Sequence, residues 1–400
     1  MFITFVYFFG IMVLKKDLCC GKMYVLPKFH SGGLYVLQRN NTTDYEKNQL
    51  FEEIIPEEKV SLFSEKKKAT NYLAMVEDKI GYASKAERLE VCATSLVFEK
   101  AAEGLHLVFG NFCRVRLCPM CSWRRSLKLQ AQMYKIADYL SDDYGYIFVT
   151  LTVENCEAPE LRAVLNEMQY AWQKFRQLKA IRQINKGFYR GIEVTHDVDE
   201  VITPRRYKKA KDYYQRRGLK EGDPNPNYDK YHPHYHVVFA VPKSYFTSRN
   251  YLSREKFAEM WKSCMQSDID LQVKVNAVKP ERKGDGTVRG AIREVTKYPM
   301  KDTEYLTGDF DYDARTVADL ERELHDLRFV SMGGAFRRAH AELNLTDYDD
   351  PEADAPENRD ASKLVAYVWR TGVTRYDEDA PYVRQYLAYE AARDNARKKQ

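Results

Sequence analysis

The stretch YHPHYHVVFAV, residues 231–241, holds three of the chain's eight histidines within five positions. In a β-strand successive side chains alternate between faces, so His232, His234 and His236 would project together from one face. The run Val237, Val238, Phe239, Ala240 and Val241 has the β-branched and aromatic content of a buried strand. Neutral imidazole is the commonest protein metal ligand, so a comb of imidazoles on a strand points to a metal site. A polar strand face with solvated histidines is the plainer alternative. Pro233 lacks an N–H and therefore belongs at the mouth of the strand.

Outward from the comb, strands are expected at 146–153 (YIFVTLTV), 187–198 (GFYRGIEVTHDV) and 271–278 (LQVKVNAV). A helix is expected over 158–181, where Leu161, Leu165, Met168, Trp172 and Phe175 recur at three- and four-residue steps, and another over 253–265 with Ser253 as N-cap. A further helical segment runs from about Ala291 to Tyr298. The first six elements spell β-α-β-β-α-β. This is the split βαβ, ferredoxin-like plan, an α+β fold with helices packed on one face of an antiparallel sheet. In that plan 187–198 and 231–241 pair as a hairpin, which sets Glu193 beside the histidines. His234, His236 and Glu193 would then form a mixed N/O site with open positions, suited to Mn²⁺, Mg²⁺ or Zn²⁺ and to catalysis more than to structure. His232, before Pro233 at the ragged strand start, ranks lower as a fourth ligand or phosphate contact.

Three of the eight cysteines cluster in NFCRVRLCPMCSWRR, residues 111–125. The two-residue gap between Cys118 and Cys121 lets both thiolates bind one Zn²⁺ from a tight turn, with Cys113 five residues earlier. Cys92 is the best fourth ligand, brought back by a hairpin between 93 and 112 that turns at Glu103-Gly104. A structural zinc is expected. A thioredoxin-like redox pair is the competitor, but no βαβ pattern surrounds it, and a disulfide framework is foreign to a cytoplasmic chain. Arg124 and Arg125 open a helical segment; they would contact phosphate, unless they share the commoner fate of solvating a helix end.

Residues 204–220, PRRYKKAKDYYQRRGLK, carry Arg205, Arg206, Lys208, Lys209, Lys211, Arg216, Arg217 and Lys220 against one acid, Asp212. Tyr207, Tyr213 and Tyr214 are interleaved. Cations that neutralise phosphates beside rings that stack on bases are the pattern of single-strand binding. A solvated basic loop is the alternative. The overall net charge of +5 is too mild to decide the question. In AIREVTKYPMKD, residues 291–302, a helix would stack Glu294 with Tyr298, and Lys297 with Lys301. Pro299 ends that helix at Tyr298 and leaves its hydroxyl accessible. A half-buried structural anchor is the ordinary reading of such a tyrosine.

The pieces FVTLTVEN (148–155), HPHYH (232–236) and EVTKYPMKD (294–302), in that order behind RLCPMCSWRR (116–125), resemble the rolling-circle replication initiator (Rep) proteins of bacterial plasmids. These are HUH endonucleases, named for a His-hydrophobic-His pair, here His234-Tyr235-His236. The resemblance spans roughly 88–345, including FVSMGGAFRRAH at 329–340. It implies that Tyr298 nicks one strand of single-stranded or cruciform origin DNA and keeps its 5′-phosphate, while the freed 3′-hydroxyl primes replication by host helicase and polymerase. It also implies that Glu294 takes the closing hydrolytic step in place of a second tyrosine, and that His234 and His236 are metal ligands; Glu193 as third ligand is an assignment from the hairpin. Lys297 would stabilise the phenolate or the phosphate, and Lys301 would contact DNA. Two departures bear on origin recognition. His232 stands where the family commonly has Asn-Pro, and the 197–231 loop is longer than usual.

Other classes compete. A relaxase or transposase of the same superfamily commonly uses paired tyrosines, and none lies within a helical turn of Tyr298. A non-catalytic zinc-containing DNA-binding regulator would not need Tyr298 or Glu294. A small-molecule metallohydrolase leaves the basic loop and the cysteine knuckle without a role.

The expected organisation is an N-terminal region (1–87), a four-cysteine zinc module with its helix (88–140), the endonuclease domain (141–310) and a mainly helical C-terminal region (311–400) with an acidic linker at 344–361. In the last region helices are expected at 314–329 and 333–343, a late strand at SKLVAYVWR and a charged helix at 380–398. That region is a candidate for origin recognition or for self-association as a homodimer. The apolar run in MFITFVYFFGIMVLKK is about 14 residues, too short to span a bilayer, and its lysines follow rather than precede it. An interfacial segment, a core piece and translated sequence upstream of a start at Met23 are the three readings, with the last preferred for residues 1–22. A cytoplasmic protein without a membrane span is expected.

Overall fold

The computed structural model describes residues 60–102, 104–278, 288–297, 300–346 and 360–397, with short strands at 5–7, 10–12, 14–16, 23–25 and 54–55. Met1–Asn41 and Thr42–Gln400 are separate units. In the first, β1 (Phe5–Tyr7) pairs with β2 (Gly10–Met12), and β3 (Leu14–Lys16) with β4 (Met23–Val25).

The second unit starts with β5 (Ile54–Ile55), α1 (Val60–Lys79), α2 (Ala83–Val91), β6 (Ser95–Ala101), β7 (Gly104–Gly110) and α3 (Pro119–Tyr139). Next come β8 (Tyr144–Thr152), α4 (Leu161–Gln177), the short α5 (Lys179–Ile184) and β9 (Gly187–His196). The basic stretch folds into α6 (Pro204–Lys209) and α7 (Lys211–Gln215) before β10 (Tyr231–Pro242). After α8 (Arg254–Met265), β11 (Val273–Val278) and α9 (Val288–Val295), the chain ends with α10 (Phe310–Glu323), β12 (Val330–Gly334), α11 (Ala335–Glu342), β13 (Leu364–Arg370), β14 (Arg375–Glu378) and α12 (Ala380–Arg397). Among the described residues no helix is long and apolar enough to cross a membrane.

Alternation on β10 decides the central layer. Tyr235, Val237, Phe239 and Val241 join a core with Ile147, Val149 and Leu151 of β8 and with Trp172 of α4 and Trp261 of α8. The expected apolar stripe of α4 is buried in full: Leu161, Leu165, Met168, Trp172 and Phe175. Burial of such side chains contributes about 1.5–3 kcal/mol each. At α8 the Ser253 hydroxyl accepts the Lys256 amide at 3.3 Å, the expected cap. The strand order is β11-β8-β10-β9-β12, and every pair is antiparallel. Pro233 pairs with Val194 of β9, whereas pairing with β8 begins only at His234, so its missing N–H interrupts no ladder on that side.

Two expectations are corrected here. Helices on one face describes α4 and α8 only; α3, α9 and α11 cover the other face through Met133, Ile136, Ala291, Ile292, Val295 and Phe336. The cause is the even-numbered side of β10, which turns apolar after His236 with Val238 and Ala240 and must itself be buried. The C-terminal region is helical in α10, α11 and α12, as expected, and it also supplies strands. Residues 330–334, expected as a link running into a helix from 333, instead pair with β9, and Gly334 turns the chain into α11 at φ +60°, a conformation that favours glycine.

The second sheet, β14-β13-β6-β7-β5, packs in one core with the cysteines through Leu96, Phe98, Leu107 and Tyr376. The expected late strand is β13, and it pairs with β6 through Val365–Phe98 and Tyr367–Leu96. The hairpin β6–β7 returns the chain from Cys92 to Cys113 as expected; Glu103 at its turn lies outside the described residues, as do residues 347–359 of the acidic linker.

Candidate metal centres and active site

Register carries His234 opposite Glu193 on β9 and Thr152 on β8, and His236 opposite Gly191 and Thr150. All six therefore share the face that α9 covers. His236 Nε2 lies 2.8 Å from Glu193 Oε2, His234 Nε2 lies 3.3 Å from the same oxygen, and the two imidazole nitrogens are 3.1 Å apart. Glu193, His234 and His236 are only 8, 8 and 9% exposed. Three donor atoms in so small a triangle fit one ion: adjacent corners of an octahedron with bonds of about 2.1 Å are about 3 Å apart. The site has the chemistry for a divalent metal, two imidazoles and a carboxylate with positions to spare.

Neighbours fix each ring. His234 Nδ1 donates to the His232 carbonyl at 3.1 Å, which orients the ring with Nε2 toward Glu193 and His236. Thr150 Oγ1 is 3.3 Å from His236 Nδ1, and Phe148 stacks on that imidazole at 5.4 Å and 18°. Burial pushes His236 below its usual pKa, against the hydrogen bond and charge of Glu193. Burial would push the Glu193 carboxyl up, but hydrogen bonds and charge from His234 and His236 outweigh it and hold it well below the carboxylate range. His232 joins the row but not the triangle. Its Nδ1 is 2.6 Å from Asn155 Oδ1, and burial, then His234 and Lys209, lower its pKa to about 4.

At the end of α9, Lys297 Nζ donates to Glu294 Oε1 at 2.6 Å. The charge of Glu294 reaches His236. Tyr298 and Pro299 lie outside the described residues; Lys297 and the buried Met300 flank them. Lys209 of α6 senses, after the desolvation that lowers its pKa, the like charges of Lys301, Lys274 and Arg205 and the opposite charge of Glu193. The charge of Lys209 is thus felt together with that of Glu193. Lys274 on β11 was not picked out from sequence, nor were Thr150, Phe148 or Glu304. For Lys274 and Thr150 the signal is register, since Lys274, Thr150 and His236 lie in one cross-strand row. Burial raises the Glu304 carboxyl to about 7, with Lys301 opposing and Glu193 adding to the rise.

Not every expected DNA-binding cation is offered to solvent. The expectation for Arg124 is corrected: it is 0% exposed, because the helix opens at Pro119 and turns that side inward. Arg125 is half-buried and donates to the Arg114 carbonyl at 3.2 Å. Arg206 is held by Asp197 at 2.6 Å and Asp199 at 2.5 Å, so its charge is matched within the loop. Arg205, Lys208, Lys209, Arg216, Arg217 and Lys301 are exposed.

The cysteines meet as a second cluster. Cys92 Sγ is 3.7 Å from both Cys118 and Cys121, and Cys113 Sγ is 3.6 Å from Cys121. Such separations exceed a disulfide's ~2.05 Å and match the ~3.8 Å edge of a tetrahedron with ~2.3 Å metal–sulfur bonds. Cys118 caps α3 and accepts the Cys121 amide at 3.5 Å. Although burial pushes its thiol up, hydrogen bonds from Cys113, Cys121 and Cys92 hold it well below the thiol range. The donor set fits a structural metal with four thiolates and no open position.

Residues 104–377 match the family described as "Replication protein". The chain is 32% identical to the "Protein rep" of Bacillus amyloliquefaciens, over 78% of this chain and 92% of that protein. It is 33% identical to a "Protein rep" of Bacillus sp, over 70% and 89%, and 29% identical to the "Protein rep" of Streptococcus pneumoniae, over 76% and 88%. No solved structure matches the chain.

Proposed function

The chain belongs to the family of Rep replication proteins, and from that premise we propose that this plasmid replication initiator works by the rolling-circle route, nicking one strand of single-stranded or cruciform origin DNA and keeping its 5′-phosphate on Tyr298. The observation that carries this reading is the triangle of Glu193, His234 and His236 at the end of α9, where Glu294 and Lys297 lead into Tyr298. The order β11-β8-β10-β9, crossed by α4 and α8, is read as the split βαβ, ferredoxin-like plan of an HUH endonuclease, with β12 added at its edge.

A divalent ion, Mn²⁺ or Mg²⁺, held by the triangle would supply Lewis-acid polarisation of a non-bridging phosphate oxygen. The chain's own residues do the rest. The phenol of Tyr298 attacks phosphorus, the P–O3′ bond breaks, and the 3′-hydroxyl leaves for a host polymerase. The exposed Lys209 and Lys301 hold neighbouring phosphates and Lys297 stabilises charge at the phenolate. Bond energy is conserved in the phosphotyrosine, so a 3′-hydroxyl closes the strand without ATP. Alternatively Glu294 takes a proton from water, which hydrolyses the phosphotyrosine and releases the enzyme. The four cysteines hold a structural zinc. Host helicase recruitment and a homodimer complete the reading.

The test is incubation with Mn²⁺ and labelled single-stranded DNA from the origin of the plasmid that encodes the chain. A covalent adduct that vanishes in Tyr298→Phe and with EDTA is expected. Binding without any adduct on that origin overturns the reading in favour of a non-catalytic DNA-binding regulator.

A further inference from the structure

Residues 300–305 follow Tyr298 in the chain, and their fixed points are fastened close to the four-cysteine cluster. Tyr305 is 1% exposed, and its hydroxyl donates to the Leu117 carbonyl at 2.6 Å; Leu117 precedes Cys118. The Asp302 carboxylate receives Lys66 Nζ at 2.7 Å. Lys67, the next residue on α1, is wholly buried and donates to the Glu90 carbonyl at 2.7 Å, two residues before Cys92. One turn along, Thr70 Oγ1 lies 3.6 Å from Cys118 Sγ and accepts the Met120 amide at 3.2 Å. A single helix therefore carries the counter-ion of Asp302 and the fasteners of both cysteine loops. On its other side the segment is tied to β9, the strand of Glu193: the His196 amide donates to Glu304 Oε2 at 3.3 Å, and its Nδ1 donates to the Glu304 carbonyl at 3.0 Å.

We propose that Tyr305 and Lys66 are positioning residues for the nucleophile, through which the four-cysteine site sets where the segment bearing Tyr298 meets the scissile phosphate. This rests on the function proposed above. Met300, which is buried, is two residues from Tyr298, a chain reach of about 7 Å. Misplacement of a reacting group by about 1 Å costs about 10²-fold in rate. Phenylalanine would fill the space of Tyr305, so the variant removes the hydrogen bond to the Leu117 carbonyl, the point where this segment is pinned. A metal that draws the four thiolates together fixes the loop of Leu117, the Glu90 end of α2 and, through Thr70, α1 at the same time.

The experiment compares wild type, Tyr305→Phe and Lys66→Met in two measurements: the affinity for a single-stranded origin oligonucleotide, and the single-turnover rate of adduct formation at saturating DNA. Hydrogen exchange over residues 300–306 is followed in the same proteins and in Cys118→Ser. The expected result is affinity within about twofold of wild type, a rate about tenfold lower for loss of one buried hydrogen bond, and faster exchange of 300–306 in all three variants. Should Tyr305→Phe fail to fold, Lys66→Met, at a partly exposed position, carries the same comparison. An unchanged rate, or a rate loss matched by an equal loss of affinity, overturns the inference. Tyr298→Phe is run beside them: an adduct that survives it removes the proposed function itself, whereas its loss with full-rate Tyr305→Phe removes only this inference.

Discussion

The backbone of Gly191 on β9 lies directly against the carbonyl of Val295 at the last turn of α9: a Cβ at Gly191 would come within 2.5 Å of that oxygen. The obstacle is main chain and cannot swing aside. Glycine here lets the helix that carries Glu294 sit down on the strand that carries Glu193.

Gly191→Ala should lift the end of α9 from the sheet while leaving the triangle's side chains intact. Adduct formation is expected to fall about 10²-fold. Mn²⁺ affinity by calorimetry should stay within a fewfold of wild type, because Glu193, His234 and His236 come from β9 and β10 alone. A variant that loses metal and activity together would show instead that the helix builds the metal site.

Thr150→Val tests the support of the ligands. The hydroxyl sits 3.3 Å from His236 Nδ1, and loss of such a partner typically weakens metal binding about 10-fold or more. Glu193→Gln keeps the shape and removes the charge, so no Mn²⁺ binding heat is expected. Equal Mn²⁺ isotherms for wild type and both variants would refute a metal role for the triangle.

Elemental analysis of purified protein should find one zinc per chain, absent from Cys121→Ser. Because the four thiolates are buried between α1, α3 and the second sheet, loss of the metal should lower the melting temperature and unprotect β6 and β7 in hydrogen exchange. Zinc-free protein with an unchanged melting temperature would rule out a structural metal.

Arg206 and Lys208 should behave oppositely despite lying two residues apart. Arg206→Ala removes the ion pairs with Asp197 and Asp199 and is expected to cost about 1–3 kcal/mol of stability with little change in salt dependence. Lys208→Ala should leave stability alone and reduce the slope of log K against log salt by about 0.7, one phosphate contact on a single strand. Thermal melts and anisotropy titrations at several salt concentrations separate the two.

Glu77 is wholly buried, and that burial, with Glu321 beside it, raises its carboxyl to about 8 against the pull of Lys85. A carboxyl raised on folding holds its proton more tightly in the native state. Its contribution is complete below the unfolded value of about 4.3 and is lost as pH rises through about 8. Wild type should therefore lose stability across that window and Glu77→Gln should lose less. Parallel melting curves for the two proteins from pH 5 to 9 would contradict this.

Much of the candidate site is legible in the sequence because it rests on short-range rules. Alternation along residues 231–241 separates Tyr235, Val237 and Phe239 from His234 and His236; three- and four-residue steps mark α4; the Cys118–Cys121 gap marks a metal turn. These follow from the periods of strand and helix and need no partner. Pairing was harder. Glu193 could be set beside the histidines only by assuming the strand order, and Thr150 and Lys274 came into view only once β8 and β11 were placed in register. Burial of Arg124 depends on which side of α3 meets the sheet, and the internal pairing of Arg206 depends on where the loop returns to Asp197 and Asp199. The sequence by itself determined which residues are chemically equipped, since residue type and local period are local properties. Only the tertiary structure decided which of them meet, because a cross-strand row, an α9 seated on Gly191 and a Tyr305 bond to Leu117 join residues that are distant along the chain.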